Sequence, residues 1–311
     1  MSAAAEAQEI QRITSKPEAP AMEVLVSSAS QGAAADEGPM QGDLQYERGW
    51  LRSLALHSDL VILGDLADVQ ITETWISVRT PTMPQLRLGN AVLLPRPPEV
   101  EDVPRWIERL EHEVGKTSAR YGRIAWEGGR PPEDVYRAFR DAGFEPYDSL
   151  SMRTSVLHSR VGASAAAVRL VSSDEEWTEL LGFQTQISHI STSEDRDFLA
   201  TRLDHYQSSS ESGRGAWFAS YSDGRIAGAC GVALGHGIAR LQGLETSTQH
   251  RRTGVALSLV EAACEWAMQQ RDVHQLVAVV DPDYHARRLF QSVGFQPHDL
   301  ARAVVPVGTL L

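Results

Sequence analysis

Residues 248–263 read TQHRRTGVALSLVEAA, two arginines and a glycine set directly before an apolar-periodic run. Val255, Leu259, Ala262 and Trp266 follow at spacings of four, three and four. That spacing predicts a helix with these four on one face and Gly254 in its first turn. A helix start offers backbone N–H groups that have no internal partner, and the helix dipole makes that end positive. Gly254 has no side chain, so an anion can come close to the amides. Arg251 and Arg252 add fixed charge and forked donors that match phosphate oxygens. The turn therefore reads as a polyphosphate seat; the plainer reading of the same four residues is a solvated turn. Other anion loops fit less well. GxxxxGK[ST] is missing, and GHGIAR (235–240) departs from GxGxxG and precedes a strand instead of following one.

Other reactive side chains give weaker signals. His189 and His285 could act as bases, and each reads equally as a satisfied or exposed histidine. No histidine pair stands at ligand spacing with cysteines or carboxylates, so no metal is expected. Cys230, in a strand pattern, and Cys264, in a helix pattern, read as packing groups and not as nucleophiles.

The elements that must position the turn follow from the patterning. AAVRLVS is a strand, DEEWTELLGFQTQIS a helix with Asp174 in its cap region, and EDRDFLATRLDHYQS a second helix. AWFASY and RIAGACGVAL are strands joined at SDG, a hairpin signal, and GHG leads into the strand IARLQGLETS. After the turn come a helix over about 254–270, the strand QLVAVV, a helix over about 283–293 and a last strand near 300–305. An internal repeat doubles this pattern. FRDAGFEPYD begins at Phe139 and FQSVGFQPHD at Phe290, and Phe, Gly, Phe, Pro and Asp recur at one offset of 151 (290−139, 294−143, 299−148). The same shift lays the helix-like 103–115 on 254–266 and the strand-like RIAW (123–126) on HQLV (274–277). Two related domains are expected. In the first copy, 46–94 reads as one helix and then VQITETWISV and GNAVLLP as strands.

The bulk numbers bound the class. The chain has 311 residues, enough for two domains, and is 42% hydrophobic and 23% charged, as a globular protein is. Residues 1–44 are rich in Ala, Ser, Gln, Glu and Gly and are expected to be a disordered tail. No apolar run approaches the roughly 18 residues of a membrane helix, and no secretory signal is evident. Two cysteines fit a reducing cytoplasm and exclude a disulfide scaffold. A net charge of -12 argues against nucleic acid or anionic membrane as partner. It suits a cationic substrate, and solubility alone accounts for it equally well.

QHRRTGVA (249–256) resembles the Q/R-x-x-G-x-G/A acyl-CoA loop of the GCN5-related N-acetyltransferases (GNAT). AVVDPDYHARRLFQSVGF (278–295) resembles the next strand and helix of that family, whose usual form is N-x-x-A-x-x-L-Y-x-x-x-G-F. The resemblance covers about 165–306; residues 46–160 share only the helix-strand-helix end. It implies an α+β protein of two tandem GNAT-like domains, each a mixed, mostly antiparallel twisted sheet flanked by helices. Residues 45–160 would be a degenerate copy without a cofactor loop and 161–311 the acetyltransferase domain. Acetyl-CoA would be the donor and a primary amine of a small molecule or protein the acceptor, with direct transfer between them. The diphosphate would sit on amides from about Arg251 to Val255. RLQGLETS and QLVAVV would splay so that the pantetheine arm pairs between them like an added strand. The implied cofactor contacts are Thr246, Ser247, Gln249, Arg251, Arg252, Thr253, Gly254, Val255, Ala256, Asp283, Arg287 and Phe290.

Glu245 lies near where the family places the thioester and could take the ammonium proton; otherwise it is a strand-edge glutamate facing solvent or paired with Arg240. Asp281 could serve the same cleft, although it reads better as a cap for the following helix. Two positions depart from the family. Phe290 stands where many members carry the tyrosine that protonates the thiolate, and it cannot donate a proton. Asp283 replaces the Asn. Tyr284 is the remaining candidate acid. In the first copy the loop position reads PEVEDV (98–103), with glycine and both arginines replaced and three carboxylates that repel phosphate. The expected protein is a cytoplasmic monomer or homodimer whose acceptor is an amine, a cationic one suiting the negative net charge. The alternative reading is a non-catalytic acyl-CoA-binding regulator.

Overall fold

The repeated FxxxGF motif builds the same joint twice in the computed structural model, which describes residues 50–158 and 167–308. In each copy a helix ends at a glycine with left-handed backbone, Gly143 (φ +84°) and Gly294 (φ +113°). At Gly294 a Cβ would lie 2.9 Å from the Val156 carbonyl oxygen, so no larger residue fits. The phenylalanines on both sides of each glycine, Phe139 and Phe144, Phe290 and Phe295, are buried. The tail expected at 1–44 and the boundary expected at 160/161 lie outside the described residues.

The N-terminal half runs α1 (Leu54–Leu63), β1 (Asp68–Ile71), β2 (Ile76–Arg79), β3 (Ala91–Leu94), α2 (Val103–Val114), α3 (Lys116–Ala119), β4 (Arg123–Trp126), α4 (Glu133–Asp141) and β5 (Phe144–Thr154). The C-terminal half runs β6 (Ala167–Leu170), α5 (Asp174–Ile187), α6 (Ser193–Glu211), β7 (Gly215–Ser222), β8 (Arg225–Gly235) and β9 (Ile238–Thr246). It ends with α7 (Val255–Met268), β10 (Gln275–Val280), α8 (Ala286–Val293) and β11 (Gln296–Pro306). Most sequence-predicted elements are present. VQITETWISV is not one strand but the hairpin β1–β2, because Thr72 Oγ1 accepts from the Thr74 and Trp75 amides and turns the chain. The first cap of α5 is Ser173, in a capping box with Glu176, one residue before Asp174.

Where two separate sheets were expected, the described strands form one eleven-stranded sheet in the order β1-β2-β3-β4-β11-β5-β10-β9-β8-β7-β6. The last strand of each half lies inside the other half: β11 between β4 and β5, β5 between β11 and β10. At the centre Ser149 faces Ala301 and Leu150 faces Leu300. The 151-residue shift carries Ser149 onto Leu300 and Leu150 onto Ala301, so the two halves are related by a local two-fold through these rungs. The exchange follows from the length of β5 and β11. Each is paired along both sides by it, so neither is left as an exposed edge.

Helices cover both faces. Val92, Leu94, Ile124 and Trp126 pack under α2 and α4. Ala91, Leu93 and Ala125, pointing the other way, pack under α1. All ten residues of α1 are buried, and the helix also touches Ala233, Ile238 and Val277 of the C-terminal half. A helix so enclosed must pair its polar groups internally. Asp59 does so with one arginine from each half, Arg123 of β4 at 2.8 Å and Arg240 of β9 at 3.5 Å. On α7 the buried stripe is Leu259, Val260, Ala263, Cys264 and Ala267, rotated from the expected face so that Ala262 and Trp266 lie at its margin.

Candidate active site

β9 and β10 run parallel and pair only at Gln275↔Ile238, Leu276↔Ala239 and Val277↔Arg240. Beyond these rungs β10 continues to Val280 against β5, and β9 continues to Thr246 against β8. The facing edges of the two strands part, leaving main-chain donors and acceptors for another extended segment. A bulge drives the parting. The β8–β9 register shifts between Gly231↔Gln242 and Ala229↔Glu245, which inserts one residue into β9. Gly243 sits there with φ +57°, and a Cβ on it would come within 2.5 Å of the Trp217 ring. Arg240 closes the fork at its base. Its guanidinium donates to Ser58 Oγ at 3.1 Å and to the Leu241 carbonyl, the first one past the last rung.

The expected anion loop lies at the open end of the fork. Ser247 N–H donates to the Ala227 carbonyl at 2.9 Å, residues 248–250 form one 3-10 turn, and α7 begins at Val255. Ser247 Oγ is 2.7 Å from His250 Nδ1, and Thr253 Oγ1 donates to the His250 carbonyl at 2.7 Å, which folds the turn on itself. Arg252 (φ +66°) and Gly254 (φ +94°) are both left-handed, and no side chain caps the helix. Alternation of backbone hand turns successive amides outward into an anion-binding concavity. Gln249, Arg251, Arg252 and Thr253 are exposed, Thr246, Ser247, Gly254 and Ala256 partly so, and Val255 is buried beneath them. The sequence-predicted seat is thus an accessible, cationic start of a long helix.

Glu245 is carried by the bulge to the α5–α6 side of β9. Burial pushes its carboxyl above the ordinary carboxylate range; the Arg202 charge and a hydrogen bond from the Gln184 side chain act against that rise. Its Oε2 is buried with no hydrogen-bond partner. Arg240, the sequence's other suggested partner for it, is bound to Asp59 instead. Gln184 and Arg202 were not singled out in the sequence, where each is one polar residue in an amphipathic helix. Gly243 did carry a signal, an isolated glycine inside a strand pattern.

The remaining predicted residues lie around β10 and α8. Asp281 Oδ1 accepts from the Asp283 amide at 2.8 Å, a turn-forming contact that precedes α8. Asp283 and Tyr284 are exposed, with the Tyr284 ring 4.0 Å from that of His285, and Arg287 is partly buried. Phe290 is in the core, edge-on to Phe295 at 5.3 Å, which is not an open cleft position. Cys230 and Cys264 are fully buried; burial pushes the Cys230 thiol up to about 12 and raises Cys264 as well, so both are inert packing groups. Among the described residues no group of His, Cys, Asp or Glu could hold a metal, and no helix is long and apolar enough to cross a membrane.

The equivalent fork of the N-terminal half is shut. β3 and β4 pair from Ala91↔Arg123 through Leu94↔Trp126, and the Glu127 amide continues the ladder to the Leu94 carbonyl at 3.0 Å. Ahead of α2 the chain makes a 3-10 turn at Val100–Asp102, with Glu101 and Asp102 in its first turn.

The Acetyltransferase (GNAT) family model matches residues 175–295, which span α5 to the start of β11. No curated protein matches the sequence. Among solved structures, a functionally unknown conserved protein from Staphylococcus epidermidis superposes with a TM-score of 0.59 at 11% identity, covering 78% of this chain and 96% of that one. A GCN5-related N-acetyltransferase from Kribbella flavida gives 0.57 at 15% identity, over 83% and 97%. Another from Sphaerobacter thermophilus gives 0.51 at 12%, over 78% and 83%. At these identities the likeness is one of fold, and it extends over both halves.

Proposed function

We propose that the protein is an N-acetyltransferase that moves the acetyl group of acetyl-CoA directly to a primary amine, with the chemistry in the C-terminal half, residues 161–311. The observation that carries this reading is the parting of β9 from β10 just ahead of an uncapped, cationic helix start. The amides from Arg251 to Val255 and the Arg251 and Arg252 guanidiniums hold the diphosphate. Thr246, Ser247, Gln249, Thr253 and Ala256 shape the same turn; Asp283 and Arg287 flank the cofactor from the α8 side, and Phe290 backs it from the core. Acetyl-CoA supplies a thioester carbonyl that an amine can attack and a thiolate that leaves readily.

Glu245 takes the proton of the incoming ammonium. A buried carboxyl with a raised pKa is a stronger base than an exposed one, which suits this task near neutrality. Tyr284 is the candidate to return a proton to the thiolate. The N-terminal half, residues 45–160, is a degenerate copy that binds no cofactor; it braces the fork through Asp59 and walls the acceptor side with α1.

The test is release of free thiol from acetyl-CoA in the presence of a panel of amines. Thiol release that depends on a particular amine supports transfer. Tight CoA binding with no turnover on any amine supports a second reading, an acyl-CoA-binding regulator, which the buried Phe290 in the tyrosine position favours.

A further inference from the structure

Three buried polar atoms without a partner among the described residues belong to side chains gathered beside the bulge of β9. Gln184 of α5 is 1% exposed, its Oε1 is buried and unpartnered, and its side chain favours the charged form of the Glu245 carboxyl. Glu245 Oε2 is buried and unpartnered. The charge of the partly exposed Arg202 of α6 acts on Glu245 and on the partly buried Tyr206, its guanidinium lies 5.7 Å from the centroid of the Phe198 ring, and its Nε is buried and unpartnered.

Leaving such groups unmet is costly, more so when charged, so native folds keep them where something completes them. Two unmet acceptor oxygens suit the N–H groups of an amine. A guanidinium with an unmet Nε suits a planar anion, which it can hold through two parallel bonds. An amine without an anionic group would satisfy Glu245 and Gln184 and leave Arg202 unmet.

We propose that the acceptor is an amino acid or a close analogue, its amino group held by Glu245 and Gln184 and its carboxylate by Arg202. This rests on the acetyltransferase reading above. Gln184 serves as a positioning residue that fixes the Glu245 carboxylate and orients the amine.

The experiment uses the full chain with acetyl-CoA and pairs each proteinogenic L-amino acid with its carboxamide. The expected result is a kcat/KM for the preferred acid about 10- to 100-fold above that of its amide, the range of a charge-assisted contact. Arg202→Leu should bring that ratio to about one by raising the KM of the acid, with the KM of acetyl-CoA unmoved. Arg202→Lys should keep part of it. Wild-type protein that acetylates acids and amides alike, or an Arg202→Leu variant that loses both equally, would overturn the assignment while leaving the transferase reading intact. No turnover of any acid or amide would overturn this assignment, and thiol release on the wider amine panel then decides separately whether the transferase reading stands.

Discussion

β3/β4 and β9/β10 are the same joint of a repeated unit, a parallel strand pair leading into a helix on one flank of the sheet. In the N-terminal half the pair stays zipped to its end, and the next amide, that of Glu127, extends it. In the C-terminal half the pair stops at Val277↔Arg240 and the strands part. Two local differences account for this. Gly243 permits a bulge that turns β9 away from β10, whereas β3 has no irregularity of register with β2 or β4. The helix starts also differ in charge: Arg251 and Arg252 before α7, Glu101 and Asp102 before α2. Parted strands with a cationic tip suit the cofactor role proposed for this half. Zipped strands with an acidic tip make a brace, and the acids favour their own helix dipole.

Asp59 joins the two joints and should give the largest effect. Asp59→Ala strands Arg123 and Arg240 as buried, uncompensated charges, at a cost of about 3–5 kcal/mol. Urea unfolding of wild type and variant measures it; an unchanged midpoint would show that the two forks are braced independently. Next comes the tip of the open fork. Wild type should bind one CoA per chain by calorimetry, and Gly254→Glu should lower that affinity by at least about 100-fold, since a carboxylate and a strained left-handed residue would replace the seat. Retained binding, or a second CoA per chain, would mean that the closed fork also takes cofactor.

The third prediction concerns Glu245. Burial raises its pKa, so the base form is lost early as pH falls, and wild-type kcat/KM should decline on the acid side through that raised value. Glu245→Gln should lower kcat by about 100-fold and flatten that limb, with CoA affinity unmoved. Were the acid limb to persist unchanged in this variant, the titration would belong to another group.

Much of the open fork was legible from residue order. The turn before α7, the strand QLVAVV and the hairpin at residues 222–224 depend on neighbours within a few positions, which propensity and spacing report. The residues of the proposed anion seat could be picked out for the same reason, because Arg251, Arg252 and Gly254 lie within four positions of the chain. Other contacts were not. Gln184 and Arg202 belong to two helices, and nothing in their local pattern separates them from solvated polar residues; Glu245 was singled out only through the family resemblance. Phe290 looked like a cleft residue because of the motif around it, and packing against Phe295 turned it inward.

The sequence alone determined that one FxxxGF pattern occurs twice, each time at the join of a helix and a strand, and that two arginines precede one helix where acids precede the other. These are properties of short segments. Only the tertiary structure decided that the final strands exchange halves, that Asp59 is shared by Arg123 and Arg240, and that Glu245, Gln184 and Arg202 each keep a buried polar atom without a partner. A strand's alternation says which residues face inward and nothing about which strand lies beside it. Partner choice is settled by closing every edge and burying every face at once.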